Sequence, residues 1–211
     1  VSDTHPGKAF VGAAPLLDST EMMQQAWKMV TSKNVREFYE ALGMCEFNEQ
    51  NFMFADVHGD IGYARVGKTP IRPRGYDWTA PVPGDTSATA WKGIHPIDDL
   101  VHVFNPPQGF MQNCNVSPEN MMPNSPFTAD RYLTDIFNVG DWEINNPRGI
   151  RTRQLLENDE SVTREKAIGI VMDVYDIHAE RWQKELTAAV DAAGSDRMKS
   201  TEFAAVVHAI L

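Results

Sequence analysis

Cysteine is scarce in this 211-residue chain, which has only Cys45 and Cys114. One pair means a single disulfide or two buried thiols, and the spacing fits no zinc pattern. Buried thiols are the simpler reading, because a free Cys packs as a small apolar residue. Long apolar runs are also missing. No stretch of 18 apolar residues occurs, so no segment reads as a membrane span. Basic charge is in deficit, with 19 Lys+Arg against 29 Asp+Glu and a net charge of −10. A surface that acidic repels phosphate, which argues against a general nucleic-acid binder. The opening Val1-Ser2-Asp3-Thr4-His5-Pro6 lacks both an initiator Met and a basic leader. It reads as the interior of a longer protein. Walker loops, Gly-x-Gly-x-x-Gly fingerprints and Gly-x-Ser-x-Gly elbows are absent too.

What is present suits a folded globular protein. Apolar residues make up 42% and aromatics 9%, enough for a core without disulfide staples. Ser19 or Thr20 can cap a helix in which Met22, Met23, Ala26, Trp27 and Val30 recur at helical spacing and read as core. Lys33-Asn34 breaks it, and Asn34 caps a second helix with Val35, Phe38, Tyr39 and Leu42 as its stripe and Gly43 at its end. Residues 51–66 change period. Asn51 to Val57 and Ile61 to Val66 read as two strands joined by the turn His58-Gly59-Asp60.

Residues 68–127 are rich in Pro, Gly and Asn and cannot form regular helix over much of their length. A stretch this long is functional or wrapped against a larger body. Its Trp78, Trp91, Val101, Val103, Phe104 and Phe110 need cover. Residues 128–211 read as helical. The expected helices are Asp130 to Phe137, Arg151 to Leu156, a long one from Ser161 or Thr163 ended by Gly194, and a last one from Thr201 to Leu211. The long helix should bury Ile168, Val171, Met172, Tyr175, Ala179, Trp182, Leu186 and Val190. This gives an α+β chain: residues 1–127 as helices, hairpin and long ordered loop, and residues 128–211 as a helical subdomain.

Two clusters invite a metal reading. His95, Asp98, Asp99 and His102 put two imidazoles and two carboxylates within eight residues, but without His-x-x-x-His spacing on a helix. Solvated loop residues are the simpler account. Asp56, His58 and Asp60 flank a turn and lack a calcium-loop pattern, so turn chemistry accounts for them. Composition and spacing alone do not name a reaction.

The run from Asn51 through Ala55-Asp56 to Gly59-Asp60-Ile61-Gly62-Tyr63 resembles the penicillin acylase family. Further motifs follow in the family's order: Pro70-Ile71-Arg72 with Gly75, Pro81-Val82-Pro83-Gly84, Trp91-Lys92-Gly93 with Pro96, then Asn105-Pro106, Gly109, Asn113 and Asn115-Val116-Ser117-Pro118. Arg153 to Leu156 and the segment Asp173–Leu186 are similar to its helical part.

The resemblance implies part of an αββα N-terminal nucleophile hydrolase sandwich, from the middle of the large subunit. It implies hydrolysis of a linear acyl amide such as a β-lactam side chain, an acyl-homoserine lactone or a lipopeptide. It maps an oxyanion-stabilising Asn onto Asn51 and a site-organising Arg onto Arg72. An Asn suits the first role because its amide donates without titrating. The family's nucleophile is a Ser freed by self-cleavage, and no residue near Val1 matches its strand. The nucleophile is therefore expected on other acylase segments, the chain's implied partners. No cofactor is expected for catalysis, and a structural calcium is the metal the family implies. An exported location is the family's usual one. The alternative is a non-catalytic interaction or scaffold module built on the acylase fold.

Overall fold

The first helix begins where an unplanned partner is available. In the computed structural model, which describes residues 7–47, 49–133, 136–137, 145–197 and 205, α1 spans Met22–Thr31. Its N-cap is Glu21, without a side-chain cap, which corrects the expectation of Ser19 or Thr20. The Glu21 N–H donates to Glu46 Oε2 at 3.2 Å, while Ser19 Oγ accepts from Lys68 Nζ at 2.6 Å. The stripe Met22, Met23, Ala26, Trp27 and Val30 is also not buried, and Met29 is the α1 residue that packs on the core. Met23 is 76% and Trp27 68% exposed, and Met22 and Val30 are exposed with them. The buried residue is Gln25, whose Nε2 donates to the Leu42 carbonyl and whose Oε1 accepts the Glu46 N–H at 2.6 Å. A buried amide satisfied at both ends ties α1 to the end of the next helix.

That helix, α2, spans Val35–Leu42 as its sequence dictates. Asn34 Oδ1 accepts the N–H groups of Arg36 and Glu37, and Glu37 reaches back to the Lys33 N–H at 2.9 Å. This is a variant of the capping box, in which Glu37 meets the backbone N–H of Lys33, one residue before the Asn34 cap, and accepts from the Asn34 side-chain amide. Val35, Tyr39, Ala41 and Leu42 are buried. Gly43 ends the helix at an ordinary φ of −62°, and the left-handed residue is Cys45, at 52°.

Strands β1 (Gln50–Ala55) and β2 (Ile61–Val66) form the expected hairpin, antiparallel from Gln50↔Val66 to Ala55↔Ile61. Gly59 takes φ 91° in its turn, a value that glycine adopts without strain. A third strand, β3 (His102–Phe104), pairs antiparallel with β2, giving the order β1-β2-β3. It is three residues long inside the Pro/Gly/Asn-rich stretch, too short to register as a period.

Alternation assigns the two faces. Ala64 and Val66 pack with Tyr39 and Leu42 of α2, joined by Phe38, Phe52, Phe54 and Phe104. Tyr63 packs on the opposite side with Val101, Val116, Met121, Met122, Phe127 and Phe137. The middle strand is thus covered on both faces. The long stretch 68–127 is held by backbone bonds such as Ile71 N–H to the Gly93 carbonyl and His95 N–H to the Thr69 carbonyl, both 2.9 Å.

The chain divides into two units, Val1–Ile144 and Asn145–Leu211. The expected helix from Asp130 is a single 3-10 turn, Ala129–Arg131, with 134–135 outside the described residues. In the second unit α3 spans Pro147–Glu157, capped by Asn146. The long helix expected from Thr163 is two: α4 (Arg164–Val171) and α5 (Ala179–Arg197). Aspartates open the gap. Asp173 Oδ1 accepts the Tyr175 N–H, and Asp176 Oδ1 accepts the His178 N–H, each replacing a helical bond by a local turn. Helix α5 continues through Gly194, and Ile168, Val171, Met172, Tyr175 and Trp182 are exposed rather than buried. The helix expected over 201–211 lies outside the described residues, apart from Ala205.

Candidate functional site

Asn51 sits on β1, at one edge of the described sheet. Its Cα partner across the hairpin is Arg65, and its diagonal neighbour on the same face is Tyr63. Diagonal pairs lie within reach of an aromatic side chain. Tyr63 Oη donates to Asn51 Oδ1 at 2.6 Å. Tyr63 is fully buried, whereas Asn51 is half-buried. Among the described residues no acceptor meets the Asn51 Nδ2 hydrogens. The carboxamide therefore has its oxygen occupied and its donor end available. Arg65 does not compete for that oxygen, because its Nε donates to Glu49 Oε1 at 2.6 Å. Sequence reasoning assigned Tyr63 no role, although it lies inside the Ile61-Gly62-Tyr63 motif.

The hairpin bearing Asn51 is clamped to α2 by Asp56. Its Oδ2 accepts the Val35 N–H at 3.2 Å, and its Oδ1 accepts those of His58 and Asp60 at 2.9 and 3.2 Å. Burial opposes the Asp56 charge, but these backbone N–H groups outweigh it and hold the carboxyl below the ordinary range. A depressed folded pKa means stability present above the unfolded value and lost as pH falls through the folded one. Asp56→Asn should therefore destabilise the full-length protein near neutrality, with the deficit shrinking toward zero below about pH 4. Denaturant melts of both proteins across pH check this, and a deficit independent of pH contradicts it.

Arg72 lies on a different element. It follows Ile71, whose N–H and carbonyl bond Gly93 and Lys92, and it lines an open cleft of about 670 Å³. Arg74, Tyr76, Trp78, Tyr132 and Leu133 share that lining, and Asn51 does not. The Arg72 guanidinium stands 5.6 Å from the Trp78 ring centroid, a cation–π contact. The indole N–H of Trp78 donates to the Pro73 carbonyl at 2.9 Å, which fixes the ring. The cleft combines guanidinium charge with aromatic walls. Its chemistry suits a ligand with both a flat apolar part and a negative charge.

The other candidates resolve into local bonding. His95 Nδ1 lies 3.2 Å from Asp99 Oδ2, His102 Nδ1 lies 2.8 Å from the Leu100 carbonyl, and Asp98 Oδ1 accepts from Tyr39 Oη at 3.0 Å. No group of three or more His, Cys, Asp or Glu able to hold a metal occurs among the described residues. The structural calcium that the family implies thus finds no such ligand set in the described part of this chain. Neither Cys45 nor Cys114 forms a disulfide, and burial pushes the Cys45 thiol pKa up, which keeps it protonated and inert. No described helix is long and apolar enough to cross a membrane.

A three-stranded antiparallel sheet packed on α2 makes the first unit a mixed body of helix and sheet. The chain belongs to the penicillin amidase family, whose family model matches residues 1–209. It is 42% identical to a penicillin G acylase of Escherichia coli over 79 residues, which are 37% of this chain and 9% of that protein. It is 31% identical to a penicillin acylase 2 proenzyme of Pseudomonas sp. (strain SE83) over 88 residues, 42% of this chain and 11% of that protein. A solved thermostable penicillin G acylase from Alcaligenes faecalis matches 89% of this chain with a TM-score of 0.56 at 20% identity. At that identity the likeness is one of fold, and the chain covers 32% of the solved one. The matched segments span about a tenth of the curated relatives. The family is one of amidohydrolases.

Proposed function

We propose that this chain is part of an amide hydrolase that cleaves a linear bond between an acyl group and an amine, with Asn51 as an oxyanion donor and Arg72 holding the charge network of the site. The observation that carries the reading is the Asn51 carboxamide, with its oxygen taken by Tyr63 and its Nδ2 hydrogens unclaimed among the described residues. Family membership supports the reaction class. In this reading the chain contributes to an αββα sandwich, and other acylase segments supply a Ser freed by self-cleavage. The α-amine of that Ser titrates near pH 8 and takes the hydroxyl proton as the oxygen attacks the acyl carbonyl. The carbonyl oxygen becomes an oxyanion, to which the Asn51 Nδ2–H donates. Collapse expels the amine with the proton and leaves an acyl-enzyme that water hydrolyses. The substrate is a β-lactam side chain, an acyl-homoserine lactone or a lipopeptide, and the enzyme acts outside the cytoplasm.

Intact-mass analysis and N-terminal sequencing of the full-length protein, with amine release measured on those three amide classes, test the proposal. A chain beginning with Ser and turnover on at least one class is the expected result. An unprocessed protein that releases no amine overturns it in favour of a scaffold module.

A further inference from the structure

The geometry points to Tyr63 as a positioning residue for the oxyanion donor, an inference that rests on the reading of Asn51 just given. A carboxamide has two ends of opposite use. Turned one way, Asn51 offers N–H donors to a developing anion. Turned the other way, it offers a carbonyl dipole that repels it. A free Asn on an edge strand interconverts between the two, and the protein must hold one of them to stabilise a transition state.

Tyr63 is built to do so. The 2.6 Å separation between its Oη and Asn51 Oδ1 suits an O–H···O bond and is shorter than an N–H···O bond prefers. The hydroxyl therefore meets the oxygen of the amide, which turns Nδ2 away from the core. The ring supporting that hydroxyl cannot drift. Tyr63 is fully buried on the central strand, in register with Met53 on one side and Val103 on the other. It packs against Phe127 at a centroid distance of 6.0 Å and belongs to the cluster that includes Val101, Val116, Met121 and Met122. Arg65, the residue directly across from Asn51, is engaged with Glu49 and leaves the carboxamide to Tyr63. The rival account is that a buried phenol simply needs an acceptor, and that Asn51 is the one at hand. The two accounts differ in kinetics.

The experiment is a double-mutant cycle on the full-length, processed enzyme, using Tyr63→Phe, Asn51→Ala and the double variant. Rates are normalised to the amount of processed nucleophile chain, so that lower folding yield does not register as lower kcat. Loss of one orienting hydrogen bond should lower kcat about 10-fold in Tyr63→Phe with KM changed less than about twofold. Added to Asn51→Ala, the same change should cost less than about twofold further, because the donor it orients is already gone. Tyr63→Phe with kcat within about twofold of wild type overturns the inference, as does a full 10-fold loss in the Asn51→Ala background. An Asn51→Ala enzyme that keeps wild-type kcat overturns the oxyanion assignment itself, and Tyr63 as its positioner with it.

Discussion

Asn51→Ala in the full-length enzyme should lower kcat by roughly 10²–10³, about 3–4 kcal/mol of transition-state stabilisation, with a much smaller change in KM. The size follows from what the substitution removes. In the proposed role the carboxamide donor acts on the charge that develops on the carbonyl oxygen, and that charge is absent in the bound substrate. An interaction made only in the transition state appears in kcat. The fold should survive the change, because Asn51 is half-buried on an edge strand and its backbone pairing with Arg65 does not need the side chain. The residue that loses a partner is Tyr63, whose buried hydroxyl loses its bond to Asn51 Oδ1. A stability loss of about 1 kcal/mol is expected from that alone. Steady-state kinetics with a melt of the same sample separate the two effects. Near wild-type kcat removes Asn51 from the mechanism.

Gly62→Ala should destabilise the sheet by about 1–3 kcal/mol. Gly62 lies on the central strand opposite Phe54 of β1 and Phe104 of β3. A Cβ there would overlap Phe54 Cε2 and stand 2.7 Å from its Cζ, well inside contact distance. Neighbouring rings oppose a swing of the Phe54 ring. It is in contact with Phe38 at 5.0 Å and Phe104 at 6.1 Å between centroids, and it belongs to the cluster under α2. The absent side chain at residue 62 is thus the space that this ring fills. Native-state hydrogen exchange at the β2 amides reads the local loss without requiring two-state unfolding of a larger protein. Phe54→Leu should recover part of the loss when added to Gly62→Ala, because the two changes share one contact. Additive penalties would mean that the ring was not the obstacle.

Gly62 also shows how little of this was legible beforehand. In the sequence it is one residue of a returning strand and one letter of a family motif. The hairpin itself was legible, because alternation on both sides of His58-Gly59-Asp60 is a local signal with a local cause. So was α2, where Asn34, Glu37 and the stripe Val35, Tyr39, Leu42 all point to one helix. The assignments of Asn51 and Arg72 come from the ordered motifs of a resemblance rather than from any chemistry of spacing. The cleft around Arg72, with Arg74 and Trp78, was not foreseen, since it needs Tyr132 and Leu133 from a distant stretch of chain.

The failures share a physical reason. Met23 and Trp27 sit at helical spacing, yet periodicity says only that residues share a face and not what that face meets. In α1 the buried position is Gln25, because its amide finds the Leu42 carbonyl and the Glu46 N–H. The helix expected from Thr163 to Gly194 breaks where Asp173 and Asp176 bond the backbone, and Asp173 is held there by Arg151, twenty-two residues away in sequence.

The sequence by itself determined the elements whose causes are local: the capped helix α2, the hairpin with its Gly59 turn, the acidic balance and membership in an amidohydrolase family. Only the tertiary structure decided which residues those elements bury, that His102–Phe104 joins the sheet, and that the Tyr63 hydroxyl meets the Asn51 carboxamide. A cap or a turn is written in neighbouring residues. A diagonal contact between strands exists only once the register is set and the ring is held in place by side chains from Val101 to Phe137, far along the chain.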